Sequence, residues 1–325
     1  MNTFNYLLSK IIYIENELDN NDEFINWINR ITVSNKDIKV IKIVNAAKSY
    51  FKCNLKYDSR YILEYVSEYN SKSNSECDLD CTTYNDEDFS RNAILISTSN
   101  QSIRIAKAHN IACVGYVPNR DKFLETKYVI EGFDEIDFDY IKQVFNRFHH
   151  IPLTIAETKR CIIREFALED IDQLFELYSD SNLTRYVEPL LDYEEELEYQ
   201  KNYIKYMYEY YGYGMWLVFD KENGNLIGRA GLEHRNCGEN VELEIGYLIS
   251  KEYQGKGIAL EVCQSILDFA QTNLDFKTIN CFIHKDNIAS ISLAKKMGFK
   301  YVNDNCHSIF PDNNDMQKYT YKFHE

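Results

Sequence analysis

The sequence predicts an α/β protein of two domains, on three observations. Short apolar runs that read as buried strands alternate with apolar stripes at helical spacing over most of the chain. The order strand–helix–strand across residues 93–116 is that of a parallel α/β unit. The chain has 325 residues, 45% of them hydrophobic, which suits about two domains with a core each.

Taken in order, residues 1–70 read mostly as helices. Phe4, Leu7, Leu8, Ile11, Ile12 and Ile14 form one apolar stripe, and Phe24, Trp27, Ile28 and Ile31 form another. Residues 71–91 are polar, acidic and rich in Asn and Ser, and read as a loop. A buried strand is expected over 93–97, a helix over 102–109, a second strand over 111–116 and a helix over 138–148. The stretch 149–159 carries Pro152 and no clear period, so the boundary falls there, with a first domain over 1–150 and a second over 159–325.

Beyond it, 161–166 reads as a strand. Leu168, Ile171, Leu174, Phe175 and Tyr178 mark one amphipathic helix, and Leu197, Ile204, Met207, Tyr208 and Tyr211 another. Strands over 215–220 and 226–232 join at Asn223-Gly224. A longer strand over 241–249 pairs back through a turn near Gly238. Then come a helix over 258–270, a strand over 278–283, a helix over 289–297, and final strands near Tyr301 and over 319–323.

Composition narrows the function classes. The formal net charge of -15 disfavours phosphate backbones, no run of Lys and Arg offsets it, and nucleic acid is not an expected partner. The same charge suits a cationic acceptor such as an amine. Nine cysteines lack a CxxC pair, and Cys77 and Cys81 have no matching Cys/His pair for zinc; reduced thiols and no metal are expected. The start of the chain lacks the pattern of a signal peptide and no apolar run reaches membrane-spanning length, so the expectation is a cytoplasmic protein without a membrane partner.

The most informative segment is Tyr253-Gln254-Gly255-Lys256-Gly257-Ile258-Ala259, which follows the long strand and opens into a helix. The first amides of a helix have no internal partners and the helix dipole adds partial positive charge, so such a corner binds phosphates. Glycine lets the backbone approach closely. Neither GxGxxG nor GxxxxGK followed by Ser or Thr is present.

Gln254, Gly257 and Ala259 match the Gln/Arg-x-x-Gly-x-Gly/Ala pattern of the GNAT acetyltransferases. Asn287, Ser290 and Gly298-Phe299 stand where those proteins carry an Asn and Ser at the start of a helix that ends in Gly-Phe. The second half thus resembles the GNAT superfamily, and through Glu244-Ile245-Gly246-Tyr247 its RimJ/RimL-type branch. The resemblance implies a mixed, mostly antiparallel sheet flanked by helices and acetyl-CoA as co-substrate. It implies cofactor contacts at Gln254, Gly255, Lys256, Gly257, Ile258, Ala259, Asn287 and Ser290, with a backbone amide of Leu248 or Ile249 polarising the thioester.

Acetyl transfer to an amine also needs a base. Alternation along the strand puts Glu242, Glu244 and Gly246 on one face and Leu243 and Ile245 on the other. Glu244 aligns with the Glu of many RimL-type enzymes and is the first choice; Glu242 and His234 are reserves. Many GNAT enzymes carry a Tyr seven residues after the Asn as general acid, where this chain has Ala294, so no acid is assigned. Tyr193 to Tyr213, with Glu194, Glu195, Glu196 and Glu198, corresponds to the helix that walls the acceptor site. Its aromatic and acidic side chains either hold a cationic amine or form an ordinary amphipathic helix. The acceptor is expected to be a peptide or small-molecule amine. The scaffold also allows a homodimer, or a CoA-binding module without catalysis.

Residues 92–136 resemble the last part of a haloacid dehalogenase (HAD)-type hydrolase, in a strand, a helix of small residues, Gly115 after a strand, and Val129-Ile130 before Phe133-Asp134-Glu135. The acidic residue such enzymes need after the strand is missing, since Ile96-Ser97-Thr98-Ser99-Asn100 holds none. Asp78-Leu79-Asp80-Cys81-Thr82 spells DxDxT, but no hydrophobic strand precedes it. A non-catalytic HAD-like domain is expected.

Overall fold

The computed structural model describes residues 8–14, 18, 21–35, 37–43, 92–237, 240–303 and 315–323. The chain divides into two compact units, Met1–Ile151 and Pro152–Glu325. The apolar positions 4 and 7, the polar segment 71–91 with Asp78-Leu79-Asp80-Cys81-Thr82, and the turn at Gly238 lie outside the described residues.

In the first unit, strands β1 (Lys10–Ile14), β2 (Lys39–Ile43), β3 (Ala93–Ser97), β4 (Ala112–Tyr116) and β5 (Val129–Ile130) form one sheet in the order β2-β1-β3-β4-β5. Every pairing in it is parallel. Helices α1 (Asp22–Ser34), α2 (Asn100–Ala108) and α3 (Phe138–Phe148) accompany it. The expected helix over the first apolar stripe is corrected here, because Lys10–Ile14 is a strand between two parallel neighbours. Ile11 and Ile12, adjacent in sequence and pointing to opposite faces, are both buried. A strand covered on both faces is apolar throughout and mimics a helical stripe. The second stripe is the helix α1, with Phe24, Trp27 and Ile31 buried. The Asn21 side chain accepts from the Phe24 amide at 2.8 Å and caps it. Gly115 lies within β4 rather than after it; a Cβ there would meet Leu124 Cδ1 at 2.7 Å, so close packing accounts for the glycine.

The second unit is an eight-stranded sheet in the order β12-β13-β11-β10-β9-β8-β7-β6. Its strands are β6 (Thr154–Glu157), β7 (Cys161–Arg164), β8 (Met215–Asp220), β9 (Leu226–Cys237), β10 (Asn240–Ile249), β11 (Thr278–His284), β12 (Lys300–Asn303) and β13 (Met316–Lys322). The β10–β11 pair is parallel and the rest are antiparallel. Strand β6 lies inside the stretch 149–159 that read as a linker. It pairs with β7, and the Leu153 amide donates to the buried Glu165 carboxylate at 3.0 Å. The short run of 154–157, exposed at both ends, carries too weak an alternation to read as a strand.

Helices α4 (Ile171–Tyr178) and α5 (Tyr193–Tyr203) follow β7, and a π-helical segment continues α5 over Ile204–Tyr211. Helix α6 (Ile258–Asn273) follows β10 and α7 (Ile288–Lys296) follows β11. Leu243 and Ile245 of β10 join Ile258, Val262, Cys263 and Ile266 of α6 in one core, so α6 covers the sheet face opposite to Glu244. Among the described residues no helix is long and apolar enough to cross a membrane.

Candidate functional site

Two glycines shape the corner between β10 and α6. Gly255 has φ of 70° and Gly257, the N-cap of α6, has φ of 78°, a left-handed conformation that favours glycine. Nothing lies within 4 Å of a Cβ placed on Gly255, and only Arg160 Nη2, at 3.7 Å, approaches one on Gly257. The glycines therefore serve backbone conformation rather than crowding. The start of this 16-residue helix has no side-chain cap, which leaves its first amides open to an anion.

The side chains of the loop are placed less uniformly. Gln254 turns back, its Nε2 donating to the Ile249 carbonyl at 2.8 Å. The Lys256 ammonium lies 5.4 Å from the Tyr253 ring centre. Ile258 is buried and Ala259 half-buried in the core, so these two offer their backbone only. Arg160, at the start of β7, holds the loop from outside. Its Nη1 donates to the Lys256 carbonyl at 2.8 Å, and its amide and Nε both reach Glu261 at 2.8 Å. Burial works against the charge of Glu261, but hydrogen bonds from Thr158 and Arg160 keep its carboxyl below the usual range. This pairing offsets a negative charge in the first turn of a helix poised for phosphates.

Strands β10 and β11 are joined by a single paired register among the described residues, Glu244 with Asn280. Past it, the edge of β10 toward β11 is without a ladder over Gly246–Ile249, where Leu248 and Ile249 lie, and backbone groups on such an edge can pair with an extended ligand. Across the gap the Tyr247 hydroxyl donates to the Ser290 carbonyl at 3.2 Å. Asn287 caps α7, its Oδ1 accepting from the Ser290 amide at 3.2 Å. Ala294 is fully buried and offers no proton donor.

On the sheet face away from α6, Glu244 stands opposite Glu233 of β9. Glu244 is 9% exposed and ion-paired with Arg235. Burial pushes its carboxyl up to about 7, with Glu233 and Glu188 acting in the same direction and Arg235 opposing them. Glu242 is ion-paired with Lys318 and accepts from Asn280 Nδ2 at 2.9 Å, which ties it up. His234, the other reserve base, pairs in register with Leu243 and so lies on the sheet face opposite to Glu244.

The tyrosine-rich segment is mixed in role. Tyr203 and Tyr208 are buried, Tyr203 Oη accepting from the Met215 amide at 2.7 Å and Tyr208 Oη donating to the Met215 carbonyl at 2.5 Å. Glu196 is buried and accepts from the Leu191 amide and Gln200 Nε2. Tyr199, Tyr206 and Tyr210 are exposed. Among the described residues no group of His, Cys, Asp and Glu could hold a metal ion.

Arg235, Glu233 and Arg160 were not singled out from the sequence. Arg235 was within reach, because the antiparallel pairing of β9 with β10 sets it opposite Glu242 and diagonal to Glu244. Nothing in the sequence ties Arg160 to Glu261, 101 residues away.

Residues 160–300 match the model of the acetyltransferase (GNAT) domain. The chain is 30% identical over 143 residues to an uncharacterized N-acetyltransferase, YnaD, of Bacillus subtilis (strain 168), covering 44% of this chain and 81% of that protein. It is 26% identical over 150 residues to a spermidine N(1)-acetyltransferase of Escherichia coli (strain K12), covering 46% of this chain and 77% of that one. A solved acetyl transferase from Salmonella typhimurium, described as modifying the N-terminal serine of ribosomal subunit protein L7/L12, is 18% identical with a TM-score of 0.42, over 53% of this chain and 99% of that chain.

Proposed function

From the premise that this chain belongs to the GNAT acetyltransferase family, we propose that its second unit moves the acetyl group of acetyl-CoA to a primary amine held over Glu244. The family makes the protein an acetyl-CoA-dependent N-acetyltransferase. The observation that carries the rest is the β10–β11 junction, paired only at Glu244–Asn280 among the described residues and followed by an uncapped helix start with two left-handed glycines.

In this reading the diphosphate of the co-substrate sits on the amides of 255–259, and its arm adds to the free edge of β10 past Glu244. Leu248 or Ile249 donates a backbone N–H to the thioester oxygen and stabilises negative charge as it develops. Asn287 and Ser290 line the other side of the gap. The amine arrives as an ammonium, gives a proton to the Glu244 carboxylate and attacks the acetyl carbon. As the C–S bond breaks, the nitrogen of the tetrahedral intermediate gives up its second proton, which water relays to the leaving thiolate, since no acid stands at Ala294. A carboxyl titrating at about 7 is matched to a base working near neutral pH.

The acceptor class is a peptide N-terminus or a small-molecule amine, the latter in line with the spermidine relative. The buried Ala294 favours one competing reading, a catalytically weak CoA-binding module whose first unit recruits a partner. For that first unit we assign a non-catalytic HAD-like α/β scaffold, supported by its parallel sheet. Thiol release from acetyl-CoA, followed with a mixed panel of amines and by mass of the product, tests the proposal. Acetyl-CoA binding without amine-dependent thiol release would leave the module reading instead.

A further inference from the structure

On the sheet face that carries Glu233 and Glu244, one cationic side chain makes no ion pair among the described residues. Arg229 of β9 stands opposite Leu248 on one side and Leu217 on the other. It therefore shares its face with Gly231 and Glu233, two and four residues on. The guanidinium is half-buried and donates to Tyr178 Oη at 3.4 Å. Burial works against its charge and the phenols of Tyr178, Tyr203 and Tyr208 act in its favour, and among the described residues it makes no ion pair. Arg160, Arg164 and Arg235 of the same unit each hold a carboxylate.

A guanidinium cannot shed its proton in a protein, and removing it from water without an opposite charge is costly. A phenol accepting one long hydrogen bond offsets little of that cost, so an anion is the missing partner. The co-substrate diphosphate is the wrong anion by position. The corner that would take it opens α6, and α6 packs on the opposite face of the sheet, with Leu243 and Ile245. The anion must come from the side of Glu233 and Glu244, which is the side of the acceptor.

We infer that Arg229 binds a carboxylate of the acceptor. The acceptor is then a zwitterion, an amino acid or short peptide whose ammonium faces Glu233 and Glu244 and whose carboxylate reaches Arg229. A polyamine, cationic along its length, would meet Arg229 as a like charge. This inference rests on the acetyltransferase reading and narrows it.

Matched acceptor pairs test it, namely amino acids against the amines they give on decarboxylation and dipeptides against their C-terminal amides, with spermidine as a carboxylate-free control. The full-length protein is expected to favour the carboxylated member of a pair by roughly 10- to 100-fold in kcat/KM, the range of a charge-assisted hydrogen bond. Arg229→Met should abolish that preference, chiefly through KM, and Arg229→Lys should retain part of it, keeping the charge without the fork. The heat of acetyl-CoA binding should persist in both variants and reports that they fold. Acetylation confined to carboxylate-free amines overturns the inference, as does an Arg229→Met variant that slows both members of each pair equally, which marks a support for Tyr178. A protein that binds acetyl-CoA yet acetylates no carboxylated acceptor also overturns it and leaves the acetyltransferase reading standing. No heat with acetyl-CoA overturns that parent reading and this inference with it.

Discussion

Replacing Glu244 by Gln separates its chemical role from its structural one. The substitution keeps size and most hydrogen bonding but removes the proton acceptor. Turnover near neutral pH should fall by roughly a hundredfold or more, the scale of losing a general base. Burial raises the carboxyl from 4.5 to about 7. At about 1.4 kcal/mol for each factor of ten, an ionised Glu244 costs the folded state about 3 kcal/mol relative to the unfolded chain. The sign follows from which state holds the proton longer. Below pH 4.5 both states are protonated and the cost is absent; it grows as pH rises, and is complete above about pH 7. Wild-type protein should thus lose about 3 kcal/mol between pH 4.5 and 8 that the Gln variant keeps, or roughly 6–12 °C in Tm for a unit of this size. In acetyl-CoA thiol-release assays, the wild-type to variant ratio should climb with pH up to about 7 and then level off. It should shrink at higher pH, where the amine arrives already deprotonated. A variant with wild-type turnover, or a ratio flat across pH 5.5 to 8, refutes the assignment. Loss of acetyl-CoA binding along with turnover would make Glu244 structural.

Gly257→Val forces a β-branched residue to a φ of 78°, and calorimetry should show acetyl-CoA affinity reduced at least tenfold; unchanged affinity would place the phosphates elsewhere. Gly231→Ala puts a Cβ 2.1 Å from the Gly214 carbonyl oxygen, and since that contact is backbone the Tm should drop by roughly 5 °C or more; a normal melt would mean that β8 and β9 can move apart freely. A fragment starting at Pro152 should bind acetyl-CoA, whereas one starting at Lys159 loses β6 and the Leu153–Glu165 bonds and should melt several degrees lower. Equal melting of the two would show that β6 adds nothing.

The second unit was most legible at β10, where polar and apolar positions alternate. Leu243 and Ile245 alternate with Glu242, Glu244 and Gly246, and that alternation is the face assignment found. The first stripe was misread because β1 is buried on both sides, which removes the alternation that marks a strand. The conformation of the candidate corner was legible where one segment builds it, as at the left-handed Gly255 and Gly257. It was not where distant segments meet, as at Arg160 and Glu261. His234 stands on the other face from Glu244, because one residue of offset along a strand turns a side chain to the other face.

The raised carboxyl has a cause in the neighbouring rung of the sheet. Glu233 and Glu244 pair directly, and the next rung pairs Gly231 with Gly246. A Cβ on Gly246 would meet Met215 Sδ and Cε at 3.3 Å, so the thioether of Met215 lies over the glycine rung. An apolar group beside a pair of carboxylates excludes water from one side of both, and two like charges on one rung oppose joint ionisation. Arg235 on β9 acts in the opposite direction, favouring the charged carboxylate. In the role proposed for it, Glu244 thus draws on three strands: β8 to exclude water, β9 to supply both the like and the opposite charge, and β10 to present the carboxyl beside the edge that is without a ladder past Glu244.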